Sequence, residues 1–119
     1  MQLTEITYEG QPPIDAYGPN FFRVMEEVQQ GPLAILPKGI ITWTGFDDMD
    51  ALISAASEYD VIFIGTGADI APLPAEVKTQ LEAVNVPFEV MGTPAACRTY
   101  NVLLSEGRRV AIAALPVAE

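Results

Sequence analysis

Residues 61–114 read VIFIGTGADIAPLPAEVKTQLEAVNVPFEVMGTPAACRTYNVLLSEGRRVAIAA, and their rhythm decides the fold. The run Val61-Ile62-Phe63-Ile64 is short and continuously apolar, which suits a strand buried on both faces of a parallel sheet. Gly65-Thr66-Gly67-Ala68-Asp69 predicts a loop. Pro74 then stands at the head of a helix whose apolar stripe is Val77, Leu81 and Val84. Residues 87–91 predict the next strand. Gly92-Thr93-Pro94 predicts a helix start, with Thr93 as the cap and Pro94 in first position, where a missing N–H is harmless. Ala96, Tyr100 and Leu103 recur at i, i+4 and i+7 and mark that helix's core face. It should end near Ser105, before Gly107, and residues 109–114 predict a last strand closed by Pro116. The order β-α-β-α-β predicts a parallel unit with right-handed crossovers.

Upstream of this unit, residues 47–59 predict another helix, because Met49, Leu52, Ile53 and Ala56 fall on one face. Asp47, Asp48 and Asp50 would sit in its first turn, each worth about 0.3–1 kcal/mol against the helix dipole. That placement explains the three acids without a metal. Residues 33–36 and 40–43 are β-prone and flank Pro37-Lys38-Gly39, which predicts a hairpin. Residues 21–24 predict a strand, with 24–28 open to continuing as a helical turn. Residues 10–19 carry Pro12, Pro13, Gly18 and Pro19 and predict a loop; residues 3–8 are strand-like. The first half would add antiparallel strands to the parallel sheet or pack a small sheet beside it. The whole is expected to be a single α/β domain spanning residues 1–119.

Composition narrows the partners. The net charge is −10, from 16 acids against 6 bases. Such a surface repels phosphate backbones and anionic lipid, so nucleic acid is excluded as a partner. It serves solubility, or it steers a basic protein partner. Cys97 is the single cysteine, so no intramolecular disulfide forms, which fits a reducing compartment. The opening MQLTEITYEG lacks the basic and apolar regions of a signal peptide, and no apolar run reaches the roughly 18 residues of a membrane span. A cytoplasmic location without direct membrane insertion is expected. The chain has no histidine. Histidine triads, histidine bases and the usual zinc sites are therefore absent, and neither a metal nor a cofactor is expected.

In an open parallel sheet, ligands bind beyond the carboxyl ends of the strands. Two turns there carry the candidate residues: Gly65, Thr66, Gly67 and Asp69 in one, Met91, Thr93, Cys97, Arg98 and Asn101 in the other. Neighbouring strands would make these turns the facing walls of one crevice. Arg98 and Asn101 share a helix face. A cation near the positive end of a helix calls for an anion beside it, supplied by a ligand, by a partner or by an internal ion pair with Asp69. Gly65-Thr66-Gly67 resembles a fragment of a dinucleotide fingerprint, but position 70 is Ile70 and Pro72 and Pro74 delay the helix, so a tight turn explains it better. A helix start and a nearby arginine can activate a thiol such as Cys97, yet no histidine base serves it, and a small core cysteine is the simpler reading.

These residues resemble the domain-of-unknown-function 498, or Mth-938-like, family. The resemblance rests on Ile64-Gly65-Thr66-Gly67, Leu73-Pro74, Met91-Gly92-Thr93, the run Ala96-Cys97-Arg98-Thr99-Tyr100-Asn101, Glu106-Gly107-Arg108-Arg109-Val110 and Leu115-Pro116, with Tyr17-Gly18 and Trp43 upstream. It implies a compact three-layer α/β fold with a mixed sheet. It also implies kinship with mitochondrial complex I assembly factor 3, a partner-binding protein. The expected function is a non-enzymatic binding or assembly module linked to respiratory complexes, acting on a protein partner through the two-turn crevice. The alternative is an anionic small-molecule binder or enzyme in the same crevice, with Arg98 on a carboxylate or phosphate and Cys97 or Asp69 as the reactive group.

Overall fold

Short apolar runs separated by glycine- and proline-bearing turns yield eight strands and three helices in the computed structural model, which describes residues 11–118. In chain order they are β1 (Ala16–Gly18), β2 (Phe21–Val24), β3 (Glu27–Gln30), β4 (Leu33–Leu36), β5 (Gly39–Ile41), α1 (Asp50–Ser54), a 3-10 turn (Ala56–Glu58), β6 (Val61–Thr66), α2 (Ala75–Ala83), β7 (Phe88–Met91), α3 (Thr93–Ser105) and β8 (Val110–Leu115). The strand expected over residues 3–8 lies outside the described residues.

Both arrangements open to the first half occur. β1, β2 and β3 form a small antiparallel sheet, while the main sheet runs β5-β4-β8-β6-β7. β6 is parallel to β7 and β8, and β4 is antiparallel to β5 and β8. The main sheet is therefore mixed. Its central strands alternate between two cores, because successive side chains in a strand point to opposite faces. Ala34, Ile62, Ile64, Ala111 and Ala113 meet Leu52 of α1 and Val77 and Leu81 of α2. Leu33, Ile35, Phe63, Val110 and Ile112 meet Ala96, Cys97 and Tyr100 of α3 together with Phe22 and Val24 of the small sheet. The result is three layers: α1 and α2, the main sheet, then α3 beside the small sheet.

The β4–β5 hairpin forms as expected, with Leu36 facing Gly39 across Pro37 and Lys38. The segment 24–28 is not a helical turn. Val24 pairs with Glu27, and the two residues between them, Met25 and Glu26, both have positive φ, at 54° and 66°. That is the type I′ geometry of a two-residue hairpin, which matches the strand twist although neither residue favours it. The stretch 10–19 is not wholly loop either: Ala16–Gly18 pairs with β2 as a short outer strand. The helix expected over 47–59 is cut to Asp50–Ser54. Asp48 turns back instead, its carboxylate accepting from the N–H and hydroxyl of Thr44, both at 3.1 Å. Side-chain bonds of this kind compete with the helix. At the other end the buried Tyr59 hydroxyl donates to Leu52 O at 2.9 Å, satisfying a carbonyl that the shortened helix leaves free.

The strained hairpin supplies a test. Replacing Met25-Glu26 with Asn-Gly should stabilise the fold by about 1 kcal/mol, since both new residues accept positive φ more readily. A urea midpoint that fails to rise would contradict the turn geometry.

Candidate functional site

The carboxyl ends of β6 and β7 bring the two glycine turns side by side, and Thr93 joins them. Thr93 is the one fully buried polar residue among the described residues. Its hydroxyl donates to Leu115 O at 2.6 Å and accepts the Gly67 N–H at 3.0 Å. Its own N–H donates to Gly67 O at 2.7 Å. Thr93 is thus not the cap of α3. Gly92 holds the cap position and Thr93 is the first helical residue, because its hydroxyl is taken by two neighbouring strand ends. A Cβ at Gly65 would stand 2.7 Å from Thr93 Oγ1 and 3.0 Å from Ala114 Cβ, so only glycine admits the contact. Gly67 has φ 108°, a conformation that favours glycine. Thr66 Oγ1 closes the rest of the turn, donating to Asp69 O at 2.8 Å and accepting the Ala71 N–H at 2.9 Å. The space between the turns is occupied by these bonds.

Helical geometry sends the remaining candidates elsewhere. At about 100° per residue, Arg98 lies some 140° around α3 from Thr93, and Asn101 and Cys97 fall between them. The structure therefore divides the candidate residues into two sets. Gly65, Thr66, Gly67, Met91 and Thr93 form the bonded junction, with Asp69 exposed in its turn. Cys97, Arg98 and Asn101 line a different cleft, of about 240 Å³, whose other wall is residues 14–17. Asn101 is spent on structure there: its amide accepts the Ile14 N–H and donates to Ile14 O, each at 2.8 Å. Arg98 is exposed, and among the described residues it makes no ion pair, with Asp69 or otherwise. Tyr17, 40% exposed, stands on the opposite wall.

Burial governs the titrating groups of this region. It pushes the Cys97 thiol up from its ordinary 9.0 to about 12 and the Tyr59 phenol from 10.0 to about 12. Burial raises the Tyr100 phenol as well, and its hydroxyl donates to Pro12 O at 2.7 Å. Cys97 is a protonated core thiol near neutrality, as its simpler reading has it. Among the described residues no group of three or more Cys, Asp or Glu is placed to hold a metal.

A second concavity has no counterpart in the sequence reading. A groove of about 460 Å³ lies on the α2 side of the main sheet, lined by residues 70–73, Lys78, Phe88 and Val90. Ile70, 66% exposed, is the most exposed large hydrophobic among the described residues. An isoleucine inside a proline-bearing loop was its only sequence signal.

The fold is that of a known family of α/β domains. The proteins of unknown function DUF498/DUF598 match residues 14–115, and the chain belongs to that family. An uncharacterized protein of Rhodobacter capsulatus is 50% identical over 117 residues, covering 98% of this chain and 94% of that one. The NADH dehydrogenase (ubiquinone) 1 alpha subcomplex assembly factor 3 of Danio rerio is 34% identical over 110 residues, and its human counterpart 28%. Those matches take 87% of this chain but only 63% and 60% of the assembly factors. Among solved structures, an outer membrane protein from Bartonella henselae superposes with a TM-score of 0.84 at 33% identity, over 92% of this chain and 98% of that one. A Mth938-like domain from Bordetella pertussis gives 0.74 at 28% identity, over 100% and 94%. Among the described residues no helix is long and apolar enough to cross a membrane.

Two outcomes follow from the junction and the buried acids. Thr93→Val strands the Gly67 N–H and the Leu115 carbonyl, each costing about 1–3 kcal/mol, so it should lower unfolding free energy by about 2–6 kcal/mol. Thr93→Ser, which keeps the hydroxyl, should lose far less in the same urea titration. The thiol and phenols hold protons in the folded state that the unfolded chain would release. Their contribution to stability is complete below the ordinary thiol value of 9.0 and declines as pH climbs toward 12. Urea midpoints should therefore fall with rising pH in that window, and Cys97→Ala should delay the onset of the fall.

Proposed function

We propose that this chain is a non-enzymatic binding module that assists assembly of a respiratory NADH dehydrogenase, and that the cleft between α3 and β1 receives an acidic group of a protein partner on Arg98. The observation that carries the site is the state of Arg98. In a chain of net charge −10 it stands exposed at the rim of a cleft with no carboxylate paired to it among the described residues. Kinship with the assembly factors supports the assembly role. Because the match covers about three-fifths of those proteins, the role is carried over for the shared domain.

Cleft size weighs against the small-molecule alternative. Pockets that enclose such ligands span roughly 300–1,000 Å³, and this one holds about 240 Å³. The thiol that an enzymatic reading would use is buried and protonated. A protein partner needs only to lay one side chain into the cleft while its larger surface rests on Tyr17 and the exposed flank of α3.

Cells of the source organism deleted for this chain provide the test. Assembled NADH dehydrogenase, resolved on native gels, should drop on deletion and return with the unaltered gene. Arg98→Glu should fail to restore it, and Arg98→Ala should weaken capture of the partner by about tenfold or more, the worth of a charge-assisted bond. Neither substitution should shift the melting temperature, because Arg98 is exposed. Full assembly in the deletion strain would overturn the assembly role; full rescue by Arg98→Glu would overturn the site.

A further inference from the structure

A second concave surface lies on the opposite layer of the main sheet. Among the described residues β7 is the outer strand there, paired along one side only, with β6. An outer strand presents main-chain N–H and C=O groups that lack partners within the sheet. Phe88 and Val90, two residues apart on β7, both turn toward the α2 layer and line the 460 Å³ groove. The segment Ala71-Pro72-Leu73 makes the far wall. Pro72 lacks an N–H group, so that wall is a poor strand partner for β7. Ile70 projects at the end of the groove, 66% exposed. Lys78 is the single charged residue in the lining, and it makes no ion pair among the described residues.

We infer that this edge binds an extended segment of a partner protein, in which apolar side chains flank one carboxylate and the carboxylate reaches Lys78. Three features fit that occupant together. The free strand edge recognises extended backbone through main-chain hydrogen bonds, and pockets beside it select alternate side chains. Phe88, Val90 and Ile70 supply the apolar surface for those side chains. The sole cation supplies charge complementarity for one acid, while the net charge of −10 repels a longer acidic run. The same net charge opposes a second copy of this chain in the groove. The inference rests on the reading of this chain as a protein-binding module and gives it a second contact. Arg98 works on the α3 side of the sheet and Lys78 on the α2 side, so both can be engaged at once.

Selection of phage-displayed random nonapeptides on the purified full chain tests it. Enriched peptides should share an acidic residue flanked by apolar ones. They should bind Lys78→Glu and Ile70→Asp at least about tenfold more weakly, and Arg98→Ala as well as the unaltered chain. Both Lys78 and Ile70 are exposed, so unchanged melting temperatures should confirm that the variants fold. Selection on Lys78→Glu should exchange the acid for a base. Amide hydrogen exchange over Phe88–Met91 should slow when peptide binds. The inference is overturned if no peptide is enriched, if enriched peptides lack the acid, or if they bind both variants undiminished. It is overturned as well if the chain forms a dimer that Ile70→Asp dissolves, which would make a second copy the occupant. Peptide selection and native-gel assembly are read independently, so loss of the assembly role would leave a positive peptide result standing, and the reverse.

Discussion

Two segments far apart in the chain, the turn after β6 and the end of β8, converge on the hydroxyl of Thr93, the first residue of α3. The group is buried, so it must find partners inside the protein, and it uses both its donor and its acceptor capacity. The backbone approach is close enough that position 65 has no room for a side chain. Helix α3 is therefore pinned in rotation as well as in position at its first residue. Once that rotation is set, the 100° step of a helix sends Tyr100 and Ala96 into the core, Asn101 onto the backbone of Ile14, and Arg98 out to solvent. The candidate cleft exists because the junction holds the helix at that angle.

The same construction explains why the junction is not itself the binding pocket. Polar atoms at strand ends either meet a ligand or meet one another, and here Thr66, Gly67 and Thr93 meet one another. The open concavities lie instead at rims on either layer. Each rim carries one cation that makes no ion pair among the described residues, although Asp15 lines the same cleft as Arg98, in a molecule where acids outnumber bases 16 to 6. At physiological salt the acidic field is screened beyond about 8 Å, while a guanidinium or ammonium inside a cleft acts at contact distance. The proposed partner, an isolated carboxylate on an otherwise neutral or basic protein, is the one such a surface would disfavour least.

Much of this was legible in residues 61–114. The apolar run at 61–64, the prolines at 74 and 94 and the spacing of Ala96, Tyr100 and Leu103 each report a local preference that the tertiary structure preserves. The β4–β5 turn was equally readable, since Pro37 and Gly39 suit their turn positions. Met25-Glu26 was not, because neither residue announces positive φ; the hairpin is imposed by burial of Phe22 and Val24 against the sheet. Ala16–Gly18 is too short and exposed to carry a period, and it becomes a strand only because β2 lies beside it. Arg98 and Asn101 were rightly placed on one flank. That the flank faces residues 14–17 depended on two hydrogen bonds between the Asn101 side chain and the Ile14 backbone, 87 positions apart. The groove around Ile70 was hidden because exposure of an apolar residue is a property of its neighbours in space.

By itself, then, the sequence determined the order and type of the elements from residue 61 onward, the core face of α3 and the lack of histidine chemistry. Tertiary structure alone decided that β8 lies between β4 and β6, that Thr93 ties three segments instead of capping one, and that Arg98 and Lys78 open onto opposite layers. The reason is physical. Periodicity and turn preference act over a few residues and are written locally, whereas strand neighbours and the pairing of buried groups such as the Thr93 hydroxyl are settled by covering both faces of a sheet, a condition that only the assembled chain can meet.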